Sequence, residues 1–177
     1  MEEVFFVLYN TFMFENVTIY MIANMDKERG IGYKGKLLYH LKEDLKLFKQ
    51  LTLNKTIVYG RKTLNTFPNA RPLKDRNNIL LSSKDIPIEN TVVLHSIKDV
   101  DQYCKKNSIS EIYIVGGQSV YEQFLPFTSI IYMSIVHHKQ KADVFFPIFE
   151  DAFERKKECT IEDVYSFDWV IYQIKGE

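Results

Sequence analysis

Cysteine is scarce in this chain, with Cys104 and Cys159 alone among 177 residues. The pair has neither metal-ligand spacing nor the numbers for a disulfide framework. A stapled secreted fold is thereby excluded, and two ordinary buried thiols in a reducing, cytoplasmic interior are expected. The four histidines, His40, His95, His137 and His138, also lack metal-like or triad spacing, so no metal is expected and none receives a catalytic part. His137-His138 reads as a solvated turn. Neither charge is in excess, since 23 Lys plus Arg balance 23 Asp plus Glu. That balance excludes the global basic field of non-specific nucleic-acid binding, and any anion recognition must be local. No apolar run reaches the roughly 18 residues of a membrane span, so no membrane partner is expected. Repeats, low-complexity stretches and linkers are missing too, and the length suits one domain with a core of its own.

The N-terminus is apolar at Val4–Tyr9 and Phe12–Phe14, yet Glu2 and Glu3 stand where an export signal carries positive charge. Residues 1–16 are therefore set apart as an extension, either a strand-like arm or sequence upstream of a start at Met13. Residues 17–177 form the expected domain.

Short apolar runs predict strands at Thr18–Met25, Thr56–Tyr59, Asn78–Leu81, Val92–Leu94, Ile112–Val115 and Ile130–Val136. Between most of them lie helical patterns at Leu41–Leu51, after Gly60, at Ile97–Lys106 and at Ser119–Phe124. This alternation predicts an α/β fold with a mainly parallel sheet. Phe153–Thr160 and Trp169–Ile174 are expected to pair antiparallel at one edge. The polar, glycine-punctuated segment Asp26–Lys36 is expected to be a mobile loop.

Leu41, Asp44, Leu45 and Phe48 share one face of the first helix, so a carboxylate interrupts an apolar stripe. Burying a carboxylate costs several kcal/mol unless it is paired, hydrogen-bonded or protonated. Asp44 is thus the first functional candidate, expected to be stabilised by a bound heterocycle rather than by a partner within the protein. The competing reading is an acidic first helical turn that complements the helix dipole.

Val115-Gly116-Gly117-Gln118 is a strand end turning into a helix, where glycines let backbone approach a ligand such as a pyrophosphate. Gly60-Arg61-Lys62-Thr63 repeats the design, with two cations that oppose the helix dipole unless an anion sits there. Ser82 and Ser83 stand at a third strand end. Arg71 and Arg76 flank a loop, and a guanidinium can grip a carboxylate through two parallel hydrogen bonds.

In order and spacing, Ile22-Ala23, Gly30-Ile31-Gly32, Leu41–Lys49, Gly60–Thr63, Asn78–Ser83 and Val115–Gly117 through Tyr121–Pro126 resemble dihydrofolate reductase from Thr18 to Lys175. The resemblance implies a single-domain, mainly parallel sheet of about eight strands with flanking helices and an antiparallel C-terminal edge. It implies NADPH-dependent reduction of 7,8-dihydrofolate to tetrahydrofolate in one-carbon metabolism, by a monomer acting on a small molecule. Asp44 would be the active-site carboxylate, with Ile22, Ala23, Phe48, Phe67, Leu73 and Val115 around the pterin. Arg76, and less directly Arg71, would hold the glutamate tail, while Ser134 stands where a threonine usually links the carboxylate network. Tyr121 would touch both ligands.

NADPH contacts would come from Asn24, Ile31, Gly32, Gly35, Lys36 and Leu37. Gly60, Arg61, Lys62 and Thr63 would join them, as would Leu81, Ser82, Ser83 and His95. Val115, Gly116, Gly117, Gln118, Ser119, Val120 and Tyr121 would complete the set, with a cis peptide between the two glycines. Leu37-Leu38-Tyr39 replaces the usual Leu-Pro-Trp, and Lys42 replaces a second proline. Tyr39 is expected to donate through a bridging water in the catalytic site. Gln118-Ser119 lacks a common cation, leaving phosphate recognition to Arg61, Lys62 and His95. Two alternatives stand beside this reading, a catalytically weak NADPH- or folate-binding paralogue and the pyrimidine reductase of riboflavin synthesis.

Overall fold

A computed structural model describes residues 13–176, so the residues 1–12 of the proposed extension lie outside it. Within the described part, Phe14 is buried against Phe124 and Phe127, and its amide donates to Asp101 at 2.8 Å.

The apolar runs build one eight-stranded sheet. Strand β1 (Thr18–Asp26) lies at its middle, parallel to β7 (Glu111–Gly116) on one side and to β8 (Ile130–Val136) on the other. Beyond β7 the sheet continues in parallel through β4 (Thr56–Gly60), β5 (Asn77–Leu81) and β6 (Thr91–Leu94). Beyond β8 the C-terminal hairpin of β11 (Phe167–Ile174) and β10 (Phe153–Ile161) closes the edge antiparallel, as expected. Strands buried on both faces read as continuous apolar runs, which is why the central ones were legible. The exposed face of β10 is charged, and Cys159 there is exposed, so only Cys104 is the buried thiol that composition suggested.

Helix α1 (Lys42–Thr52) packs on one face; α3 (Ile97–Lys106) and α4 (Gln118–Phe124) pack on the other, where the larger core cluster lies. A one-turn α2 (Arg61–Leu64) follows β4. The first residue of α1 has no local side-chain cap. Its amides are instead met from 120 positions away, where Asp163 accepts from the Glu43 N–H at 2.7 Å. A remote carboxylate thus satisfies a free amide and complements the dipole of the helix that carries Asp44.

The segment Asp26–Lys36 departs from expectation. It pairs into a small sheet where a loop was expected, with β2 (Gly30–Tyr33) between β3 (Lys36–Leu37) and β9 (Val144–Phe145). Its entry is pinned by Asp26, whose Oδ1 accepts from the Glu28 and Gly30 amides at 2.9 and 3.0 Å. Asp143 fastens the far end by accepting from the Lys34 amide at 2.9 Å. Strand β9 lies far away in sequence, so no local pattern announced the pairing. His137 and His138 are exposed but not merely solvated, because His137 pairs with Asp168 at 2.9 Å and His138 stacks on Tyr165.

Tyr39 also departs from expectation. Its ring is 2 % exposed, and its hydroxyl donates to the His138 carbonyl (2.5 Å), with Asp26 Oδ2 (3.1 Å) a second acceptor competing for the same proton, while it accepts from the Gln140 amide (3.1 Å). Those partners occupy the hydroxyl, so it does not serve a water in the catalytic site. It joins the start of the small sheet to residues 138–140. Tyr39→Phe keeps the ring and strands three buried or half-buried polar groups, so it should lower unfolding free energy by about 1–3 kcal/mol in urea titrations. An unchanged midpoint would show that water replaces the hydroxyl without loss.

Candidate active site

Asp44 is 8 % exposed on α1, and its stripe turns out to face a cavity more than the core. Leu41 is buried as expected, but Leu45 is 49 % exposed and lines that cavity, because the helix is roofed there by open space. The cavity measures about 490 Å³. Ile22, Ala23, Phe48, Phe67, Leu73 and Val115 give it apolar walls, and Phe67 is braced edge-on by Tyr59. Among the described residues, Asp44 is the single carboxylate on its lining.

The carboxylate has partners within the protein, which corrects the expectation that it would have none. Ser134, fully buried on β8, donates to Oδ1 at 2.6 Å. Asn24 on β1 donates to Oδ2 at 2.8 Å. Both donors are neutral. Burial pushes the Asp44 carboxyl above the usual carboxylate range, the two hydrogen bonds pull it back, and the charge of Asp163 adds to the rise. Tyr121, wholly buried, donates to the Ile22 carbonyl at 2.7 Å and lines this cavity. Burial and the nearby Asp44 both raise its phenol above its ordinary value.

At one end of the cavity Arg76 is oriented before any ligand arrives. Its Nε and Nη2 donate to Thr52 Oγ1 at 3.2 and 3.1 Å, and its Nη1 donates to the Lys74 carbonyl. Arg71 is exposed and lines neither cavity.

A second cavity of about 760 Å³ runs along the carboxyl ends of β4, β5 and β7. The strand ends deliver Gly60, Arg61, Lys62 and Thr63, then Leu81, Ser82, Ser83 and His95. The small sheet contributes Ile31, Gly32, Gly35, Lys36 and Leu37, and α4 contributes Gln118, Ser119 and Val120. Arg61 Nη2 donates to Ser82 Oγ at 2.7 Å, drawing two strand ends together. His95 Nδ1 lies 2.8 Å from the Ser82 carbonyl, which can only accept, so that nitrogen carries the proton. The donors and cations suit an extended, phosphate-bearing ligand.

The two cavities meet. Ile31, Leu37, Thr63, Thr66 and Gly117 belong to both. The Gly116–Gly117 peptide at this junction is cis. Gly116 has φ +126°, and a Cβ there would stand 3.0 Å from Thr63 Oγ1, so both conformation and space demand glycine. Val115, Gly116 and Tyr121, expected among cofactor contacts, line the smaller cavity only. Asn24 is likewise on the smaller cavity, turned to Asp44. Ser134 lines neither and acts through Asp44.

The family model of dihydrofolate reductase matches residues 18–174. The chain belongs to the dihydrofolate reductase family. It is 32 % identical to the dihydrofolate reductase of Staphylococcus haemolyticus, over 91 % of this chain and 98 % of that one. With the Bacillus subtilis enzyme the identity is 35 %, over 89 % and 95 %. The solved dihydrofolate reductase of Enterococcus faecalis, complexed with NADP(H) and RAB-propyl, superposes with a TM-score of 0.82 at 30 % identity, covering 89 % of this chain and 96 % of that one.

Residues that the sequence reading missed include Thr66, Asp143 and Val144 in the larger cavity and His40, Leu45 and Lys49 in the smaller. Leu45 and Lys49 lie one helical turn apart beside Asp44 and Phe48, a signal that was present. Asp143 and Val144 carried none, since β9 reaches the site only by pairing.

A folded-state carboxyl raised above its unfolded value makes stability fall as pH rises from the ordinary carboxylate range through the raised one. At neutral pH the ionised Asp44 therefore costs stability without ligand. The melting temperature of the wild type without ligand should therefore fall more steeply than that of Asp44→Asn as pH rises from acid to neutral, and an equal pH dependence in the two would refute the cost.

Proposed function

We infer that the chain catalyses the NADPH-dependent reduction of 7,8-dihydrofolate to 5,6,7,8-tetrahydrofolate. The observation that carries this reading is a lone buried carboxylate, Asp44, in an apolar pocket that opens into a cleft of cations and hydroxyls. We assign residues 17–177 to one catalytic domain, working as a monomer in the cytoplasm. Both described cysteines are free, and no helix among the described residues is long and apolar enough to cross a membrane.

The larger cavity fits a dinucleotide by its donor set of cations, hydroxyls and an imidazole along three strand ends. Arg61, Lys62, Ser82, Ser83 and His95 would hold its phosphates, and Gly117 and Thr63 would border its ring. When bound, NADPH supplies the hydride that reduces C6 of the pterin.

The chain's own residues position and polarise. Each oxygen of Asp44 has accepted one hydrogen bond and keeps lone pairs for the amino group and ring N–H of a pterin. Phe48, Phe67, Leu73 and Val115 exclude water from the ring, which strengthens that contact. The negative charge favours the ring with N5 protonated, and the adjacent carbon then accepts hydride more readily. Water delivers that proton. Arg76, preset by Thr52, pairs with the carboxylate of the glutamate tail. Asp44 at this helical position disfavours the pyrimidine reductase reading, and a purely binding role would leave the polarised pocket without a use.

Rapid oxidation of NADPH on adding dihydrofolate, and none without it, is the expected result; tight binding without turnover would overturn the assignment. Asp44→Asn should reduce turnover about 100-fold or more while NADPH affinity stays within a few-fold. The hydride-transfer rate of the wild type should fall as pH rises, because the protonated pterin is depleted. A flat profile would refute the part given to Asp44.

A further inference from the structure

Asn24 and Ser134 are register partners across the parallel β1–β8 ladder, so their side chains leave the sheet side by side. They close on the two oxygens of one carboxylate, Ser134 on Oδ1 at 2.6 Å and Asn24 on Oδ2 at 2.8 Å. The Asn24 amide also lies 3.4 Å from the Tyr39 carbonyl, so two acceptors fix which end of the amide carries nitrogen. We propose that Asn24 is a positioning residue for the reduction, one jaw of a neutral two-strand clamp that sets the orientation and the proton affinity of Asp44. The proposal rests on the role given to Asp44 above.

The geometry makes the two jaws unequal. Ser134 is fully buried and delivers a hydroxyl, which also has lone pairs and can accept a proton in return. Asn24 lines the cavity, and its Nδ2 can only donate, so it favours the ionised carboxylate in whatever state Ser134 adopts. Other groups facing Asp44 do not duplicate this. Asp163, from the turn between β10 and β11, repels the charge. Tyr121, from α4, spends its proton on the Ile22 carbonyl. Glu43, next to Asp44 on α1, is paired with Lys46 at 2.7 Å. His40, Lys49 and Arg76 line the cavity but make no ion pair with Asp44. Neutral donors stabilise a carboxylate without neutralising it, which leaves its charge to act on a bound ring.

The test is the carboxyl ¹³C titration of Asp44 in the full chain without ligand, paired with the pH profile of hydride transfer from NADPH to dihydrofolate. Asn24→Ala removes the donor; Asn24→Leu removes it while holding the volume, should the smaller side chain harm folding. Both should raise the Asp44 midpoint by about one pH unit and carry the falling limb of the hydride-transfer profile upward with it. Asn24→Ser, which keeps a donor on β1, should restore part of the shift. An Asp44 midpoint that does not move in either variant overturns the clamp. So does an equal loss of rate from Asn24→Ala in wild-type and Asp44→Asn backgrounds, since a residue acting through the carboxylate has nothing to act on in the second. A moved midpoint with an unmoved rate profile upholds the clamp and overturns instead the role of Asp44 in the reaction.

Discussion

A carboxylate kept almost dry, with neutral hydrogen-bond partners and no cation paired to it, is the constraint around which this molecule is arranged. An ion pair would have consumed its field, because a neighbouring guanidinium or ammonium neutralises a carboxylate that neutral donors leave charged. Full burial in hydrocarbon would have kept it protonated. Asn24 and Ser134 hold a middle course, and they do so from adjacent strands at the centre of the sheet, where backbone positions are least free to drift.

The rest of the architecture supports that arrangement from outside. Asp163 caps the helix bearing Asp44 from a turn 120 residues away, and its charge also bears on the carboxylate. One remote side chain thus affects both where the acid sits and how readily it ionises. On the opposite flank, Asp26 and Tyr39 lock the small sheet that borders both cavities to residues 138–140. The Tyr39 hydroxyl serves as a structural crosslink, and the residue still lines the cavity wall. The small sheet is thereby held by buried polar contacts, which are rigid while satisfied and costly when broken.

The family, the central strands and the cavity-lining loops were readable because each rests on a local signal. Runs such as Ile112–Val115 are apolar without alternation, as doubly covered strands must be, and Gly116 is required by its own φ and by Thr63. Asp44 was conspicuous as a charge on an apolar stripe. The same stripe misled at Leu45, since periodicity tells which face is apolar but not whether core or cavity lies opposite. The segment after Asp26 looked like a loop because its glycines and charges mimic one, and its partner strand at Val144–Phe145 is two residues long and more than a hundred positions away.

Sequence alone determined the fold class, the order of the central strands along the chain and which carboxylate interrupts an apolar stripe, because hydrophobic period and residue chemistry are properties of neighbours. Tertiary structure decided what that acid touches. Asn24, Ser134, Asp163 and the hydroxyl of Tyr39 acquire their roles only through partners 13 to 120 positions distant. A hydrogen bond depends on distance and angle in space, and neither is written in the order of the chain.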